Sequence, residues 1–166
     1  GRVDILVNNA ATNPYLGAMI DIDVSRLDKT YEVNQRGPFV WLQSAWRRSM
    51  ADHGGVVVNM ASIGGLTVET SIGHYNVTKA ALIHQTRSIA KELAPTVRVN
   101  AICPGLVKTD MARALWEANE EAIARHVPLH RLGEPSDIAD AALFLASDES
   151  SWALSLITES SGGKQE

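Results

Sequence analysis

An α/β fold, helices packed on a parallel sheet, is what this sequence predicts, and three observations predict it. Ile5-Leu6-Val7 and Gly55-Val56-Val57-Val58-Asn59-Met60 are short continuous apolar runs, as in strands covered on both faces. Amphipathic stretches of helical period separate such runs. Each run then ends in small or polar residues: Asn8-Asn9-Ala10-Ala11, Ala61-Ser62-Ile63-Gly64-Gly65 and, after a third strand, Cys103-Pro104-Gly105. Ligands of open α/β sheets bind at these carboxyl ends.

The elements follow in order. After the strand at Ile5, a helix is expected from Ser25 to about His53. There Leu27, Tyr31, Phe39, Leu42, Trp46 and Met50 recur at helical spacing, and Gly37-Pro38 is expected to bend or divide it. The run at 55–60 is the second strand. A cleaner helix spans Tyr75 to Leu93, with Tyr75, Leu82, Ile83, Thr86, Ile89 and Leu93 on one broad face, and Pro95 stops it. The third strand, Val97 to Ile102, alternates more. A helical segment is expected from about Asp110 to His126. A further helix opens at Pro135, with Glu134 and Asp137 in its first turn and Ile138, Ala141, Ala142 and Leu145 on its inner face. A short strand near Leu154 to Thr158 would close the sheet. Three to four strands with flanking helices imply βαβ units and one domain over 1–166.

Composition excludes several classes. The chain has 166 residues, a formal net charge of −4, 45% apolar residues and one cysteine. Nucleic acid is not an expected partner, because the only clustered cations are Arg47-Arg48. Nor is a membrane, because no apolar run approaches the roughly 20 residues of a span. The single thiol, Cys103, rules out a disulfide framework and points to a reducing, cytoplasmic setting. His126 and His130 are four apart, but Pro128 between them breaks the helix that would aim both at one ion, so no metal site is expected.

The candidate chemistry starts at Tyr75 and Lys79. Four residues apart on a helix, they lie on one face, so an ammonium stands beside a phenol. A neighbouring cation favours phenolate and lowers a pKa of about 10 toward the range useful for general acid–base catalysis. Ser62, at the end of the second strand, is placed to donate to a carbonyl oxygen held beside Tyr75. Asn34, an amide within an amphipathic helix, is suited to hold a water or a backbone group inside the fold. His74, next to Tyr75, is a candidate substrate contact. A hydrolase built on Ser62 is disfavoured, because Met60 stands where a nucleophile elbow needs its first Gly.

Asn8-Asn9-Ala10, a helical Asn34, Ser62, Tyr75-x-x-x-Lys79 and Pro104-Gly105 with Thr109 occur in the order and spacing of the short-chain dehydrogenase/reductase family, which the chain resembles to about Trp152. Arg131-Leu132-Gly133-Glu134-Pro135 through Phe144-Leu145-Ala146-Ser147 is similar to that family's C-terminal half. Within it, the segments at 9–14, 104–109 and 115–116 look most like carbonyl and retinal reductases and bacterial 3-oxoacyl-reductase-like members. The resemblance implies a Rossmann-like, doubly wound sheet and hydride transfer between NAD or NADP and a carbonyl or alcohol substrate. It implies Tyr75 as proton donor or acceptor, Ser62 as the group orienting the carbonyl, and Lys79 as holding the nicotinamide ribose and lowering the Tyr75 pKa. Asn34 would hold a relay water. Asn9 and Ala10 would line the adenosine side, and Pro104, Gly105, Val107 and Thr109 the nicotinamide end. The segment 108–128 would be a substrate lid, and the helices at 25–53 and 75–93 would pair copies into a homodimer or homotetramer.

Departures from the family are equally specific. No Gly-x-x-x-Gly-x-Gly occurs in the sequence, so the phosphate cradle of the first βαβαβ portion has no counterpart, and the strand at Ile5 is expected to show an open edge. Ser155 stands where a Gly is expected, and Glu159-Ser160-Ser161-Gly162-Gly163 replaces Val-Val-Asp-Gly-Gly. A charge at Glu159 is expected to fray or remodel the last strand. These departures carry the alternative reading, a truncated or degenerate relative that serves as an assembly or binding module.

Overall fold

A computed structural model of the chain describes residues 1–160. Its sheet has four strands, β1 (Ile5–Asn8), β2 (Gly55–Met60), β3 (Val97–Pro104) and β4 (Ile157–Ser160), all parallel and in spatial order β1-β2-β3-β4. The register pairs Asn8 with Asn59 and Met60 with Ile102, so the strands' carboxyl ends lie along one side of the sheet. β1 is the outer strand. Its Ile5 and Val7, on one face of the sheet, are about half exposed.

Between β1 and β2 the chain is helical throughout 24–53. Asp23 caps the start by accepting the Arg26 amide at 3.0 Å. α1 (Val24–Tyr31) passes through a π-turn at Glu32–Arg36 into α2 (Gly37–Ala45), then through a second π-turn at Trp46–Met50 into α3 (Ala51–His53). Of the bend or division expected at Gly37-Pro38, division does not occur. The wider turn just before it lets the Gly37 amide reach the Glu32 carbonyl, so Pro38 enters without breaking the helix. Each π-turn adds a residue and shifts the helix phase by about 100°. One period therefore does not fit the whole stretch: Leu42 and Met50 are buried, whereas Tyr31 and Phe39, expected inward, are exposed. Gly54, at φ 73°, makes the turn into β2.

Helices cover both sheet faces. On one, Val57, Val97 and Val99 pack with Leu42, Ala45, Met50 and Ala90, the last from α4 (Gly73–Leu93). On the other, Val58, Met60 and Ile102 pack with Ile138, Ala141, Ala142 and Leu145 of α7 (Pro135–Ala146), the inner face read from the sequence. Full burial of the Val, Leu, Ile and Met side chains among them contributes about 1.5–3 kcal/mol each. A polar chain crosses the same core. Asn8 Nδ2 donates to Asn59 Oδ1 at 2.8 Å, and Asn59 Nδ2 donates to Thr86 Oγ1 at 2.9 Å, so β1, β2 and α4 are held in one register with their amides satisfied.

The stretch from Asp110 to His126 is not one helix. It breaks into α5 (Arg113–Trp116) and α6 (Glu120–Ala124), neither of which has a fully buried residue, so no apolar stripe anchors a longer helix. The last strand begins later than expected, and main-chain pairing holds it through Glu159 and Ser160, opposite Cys103 and Pro104, without the expected fraying. Ser155, in the glycine position, takes φ 59°, the left-handed conformation that glycine adopts most easily. Arg98 and Asn100 of β3 tie down the approach. The Arg98 guanidinium donates to the Leu145, Ser147 and Ser150 carbonyls at 3.0–3.2 Å, and Asn100 Oδ1 accepts the Leu156 amide at 2.8 Å. Ser161 to Gly163 lie outside the described residues. Among the described residues no helix is long and apolar enough to cross a membrane.

Candidate active site

Three chain reversals converge beyond the carboxyl ends of β1, β2 and β3. After β2, Ser62 caps a 3₁₀ turn at Ile63–Gly65, its Oγ accepting the Gly64 amide at 3.1 Å. This turn packs directly against α4. A Cβ added to Gly65 would stand 2.7 Å from the Lys79 backbone carbon, and one added to Gly64 would stand 2.2 Å from Asn76 Oδ1. Only glycines let the strand end approach the helix so closely.

That approach assembles the predicted group. The Ser62 hydroxyl is near enough to Tyr75 to favour its phenolate, and the Lys79 ammonium lies 5.5 Å from the Tyr75 ring centroid. Lys79 is 2% exposed, and its Nζ donates to the Met60 carbonyl at 2.7 Å. Burial lowers the Lys79 pKa to about 8, with Cys103 opposing the shift. Burial also raises the Tyr75 pKa, outweighing the lowering by Ser62, and Glu69 adds to the rise. The expectation of a net downward shift of the phenol is therefore corrected for this arrangement. Desolvation, which the sequence does not display, is the larger effect on both groups.

Asn34 is fully buried and spends its amide on backbone. It accepts the Thr12 amide at 2.8 Å, donates to the Thr12 carbonyl at 2.9 Å, and donates to Thr78 Oγ1 at 3.2 Å. It joins the loop after β1 to α4, one residue before Lys79. Its two side-chain N–H donors are then used. Thr12 and Thr78 were not singled out from the sequence. Thr78, inside Tyr75-Asn76-Val77-Thr78-Lys79, carried a signal in its spacing, whereas the Met60 and Thr12 backbone contacts carried none.

Asn9 and Ala10 follow β1 and are exposed at the same side of the sheet, and Pro104 and Gly105 are partly exposed at the end of β3. Val107 is buried and pairs with Gly133, and Thr109 Oγ1 accepts the Ala112 amide at 3.3 Å. His74 is not aimed at this space: its Nε2 meets the Leu27 carbonyl at 3.1 Å and fastens α4 to α1. A buried ammonium with three donors and one carbonyl acceptor suits a ligand bearing hydroxyls, such as a ribose, so Lys79 fits the cofactor that the resemblance implies.

Known proteins resemble this chain in sequence and fold. A family profile described as enoyl-(acyl carrier protein) reductase matches residues 1–163. The human dehydrogenase/reductase SDR family member 4 is 38% identical over 155 residues, 92% of this chain and 56% of that protein. The Arabidopsis thaliana short-chain dehydrogenase/reductase SDRA is 40% identical over 157 residues, 92% of this chain and 60% of that one. This chain thus spans little more than half the length of these relatives. Among solved structures, a short-chain dehydrogenase/reductase of glucose/ribitol dehydrogenase type from Brucella melitensis superposes with a TM-score of 0.92 at 29% identity, over 98% of this chain and 65% of that one. One from Agrobacterium tumefaciens, assigned as a 2-deoxy-D-gluconate 3-dehydrogenase and bound to NADP, has a TM-score of 0.90 at 30% identity, over 96% of this chain and 66% of that one.

Proposed function

The chain belongs to the short-chain dehydrogenase/reductase family, and from that premise we propose that it carries the proton-transfer half of an NAD- or NADP-dependent carbonyl reductase. The observation that carries this reading is the juxtaposition of Ser62, Tyr75 and the buried Lys79, with Asn34 pinned beside them. The bound cofactor supplies or accepts the hydride. Everything else falls to the chain. The Ser62 hydroxyl donates to the substrate carbonyl oxygen and orients it. The Tyr75 hydroxyl gives that oxygen its proton, so carbonyl plus hydride plus proton becomes alcohol, and Tyr75 is left as phenolate. Lys79 steadies the phenolate and holds the ribose hydroxyls, an arrangement that gains strength in a dry site. A water held at Asn34 returns the proton, and the alcohol is oxidised by the reverse steps.

Asn9 and Ala10 would line the adenosine side, and Pro104, Gly105, Val107 and Thr109 the nicotinamide side. Small-molecule carbonyls, including 3-oxoacyl compounds, are the substrate class the family likeness suggests. Trp41, 67% exposed on α2, with Phe39 and Val77, supports pairing of copies through α2 and α4. The buried lone thiol suits a reducing, cytoplasmic setting. A second reading is a non-catalytic relative acting as an assembly or binding module. Tyr75→Phe decides between them. Loss of NAD(P)H-dependent carbonyl reduction with unchanged circular dichroism supports catalysis through Tyr75. Retained turnover refutes that assignment, and an inactive, folded wild type favours the module.

A further inference from the structure

The segment 109–132 leaves and rejoins the fold at one place. Val107 and Gly133 form a parallel bridge, the Lys108 amide donates to the Gly133 carbonyl at 2.9 Å, and the Gly133 amide donates to the Leu106 carbonyl at 3.0 Å. A Cβ on Gly133 would stand 3.1 Å from Val107 Cγ2, so the two stems are closely zipped. Beyond them the segment is lightly held, since neither α5 nor α6 has a fully buried residue. Within 110–126 two side-chain ties are internal: Arg113 pairs with Asp110, and His126 Nδ1 meets the Ala122 carbonyl.

One side chain reaches from the stem to the helical part. Lys108 Nζ, on the stem, lies 3.1 Å from Glu120 Oε1 at the start of α6 and also pairs with Glu134 Oε1. Glu134 is itself fixed at the start of α7, where its amide donates to Asp137 Oδ2 at 2.8 Å and Arg131 grips both Asp137 oxygens at 2.6 and 2.8 Å. Among the described residues, two ion pairs join this segment to the body of the fold: Arg131–Asp137 at its returning end, and Lys108–Glu120, which is the one that reaches its helical part. Lys108 also follows Val107 and precedes Thr109, two of the positions assigned to the cofactor's nicotinamide side.

We propose that Lys108, Glu120 and Glu134 form an ionic latch that sets the position of residues 109–132 over the carboxyl end of the sheet. The inference rests on the reading of this segment as a substrate lid. Glu134 anchors the Lys108 ammonium to α7, and Glu120 is the releasable partner, carried on the weakly packed helix. All three side chains are partly exposed, so the pair's worth is modest and screened by salt. Hydrogen exchange of the amides at 113–124, followed by mass spectrometry at low and high salt, tests it without requiring turnover. Glu120→Gln is expected to raise exchange there by up to about fivefold at low salt. Added salt should bring the wild type toward the variant and leave the variant unmoved, Lys108→Met should match Glu120→Gln, and Lys108→Arg should stay near wild type. Equal exchange in wild type and Glu120→Gln at low salt, or an equal response of both to salt, overturns the latch. Neither result depends on carbonyl reduction, whose absence would bear on the proposed reaction alone.

Discussion

Replacing Lys79 by Met should stabilise the fold at neutral pH, although it removes a residue assigned to the reaction. The ammonium is buried, and its pKa falls from 10.5 to about 8. At 1.36 kcal/mol per pKa unit, keeping it charged costs the folded state about 3 kcal/mol. Methionine has similar length and no charge, so it recovers that cost. It also leaves the Met60 carbonyl, now 2.7 Å from Nζ, without its donor, a loss of about 1–2 kcal/mol. The net expectation at pH 7 is a gain of about 1–2 kcal/mol, or roughly 2–8 °C in Tm. The pH dependence is sharper. Between the two pKa values the unfolded chain binds a proton that the folded chain has lost, so wild-type stability rises with pH from about 8 toward 10.5. Most of the 3 kcal/mol returns by pH 10. Tyr75, whose raised pKa lowers stability only above about 10, lies outside the window of pH 7 to 10. Urea unfolding of both proteins at pH 7, 8, 9 and 10 should therefore show the variant's advantage shrinking and then reversing. A variant less stable at pH 7, or a difference that does not move with pH, would refute the assignment of a buried, charged Lys79.

Two further outcomes follow from the same geometry. Gly65→Ala places a Cβ 2.7 Å from the Lys79 backbone, which cannot yield as a side chain can, so urea unfolding should register a loss of about 1–3 kcal/mol together with lost carbonyl turnover. Asn34→Asp keeps the acceptor for the Thr12 amide but removes the donors to the Thr12 carbonyl and Thr78, and should cost about 1–3 kcal/mol, with faster amide exchange at Thr12 and Asn13. Unchanged exchange there would mean that Asn34 does not hold the loop after β1.

Much of this protein is determined by its sequence alone. Unbroken apolar runs between helical repeats require strands covered on both faces, and spacing along one helix is enough to put Tyr75 and Lys79 on one side of α4. Those are local properties, set by the 3.6-residue helical turn and by the burial of aliphatic side chains. The phase of the helices at 24–53 was not legible, because two π-turns shift the apolar face partway along and leave Tyr31 and Phe39 outside. Nor was the last strand's pairing through Glu159, which main-chain partners on β3 supply. At the site, residue types named Ser62, Tyr75, Lys79 and Asn34, but tertiary structure decided what each of them meets. Lys79 is spent partly on a backbone carbonyl of β2, Asn34 on a loop 22 residues away in sequence, and His74 on α1 rather than on the site. The direction of the Tyr75 shift belongs to that same level. A neighbouring charge can be inferred from spacing, but desolvation depends on everything packed around the group, and here it is the larger effect.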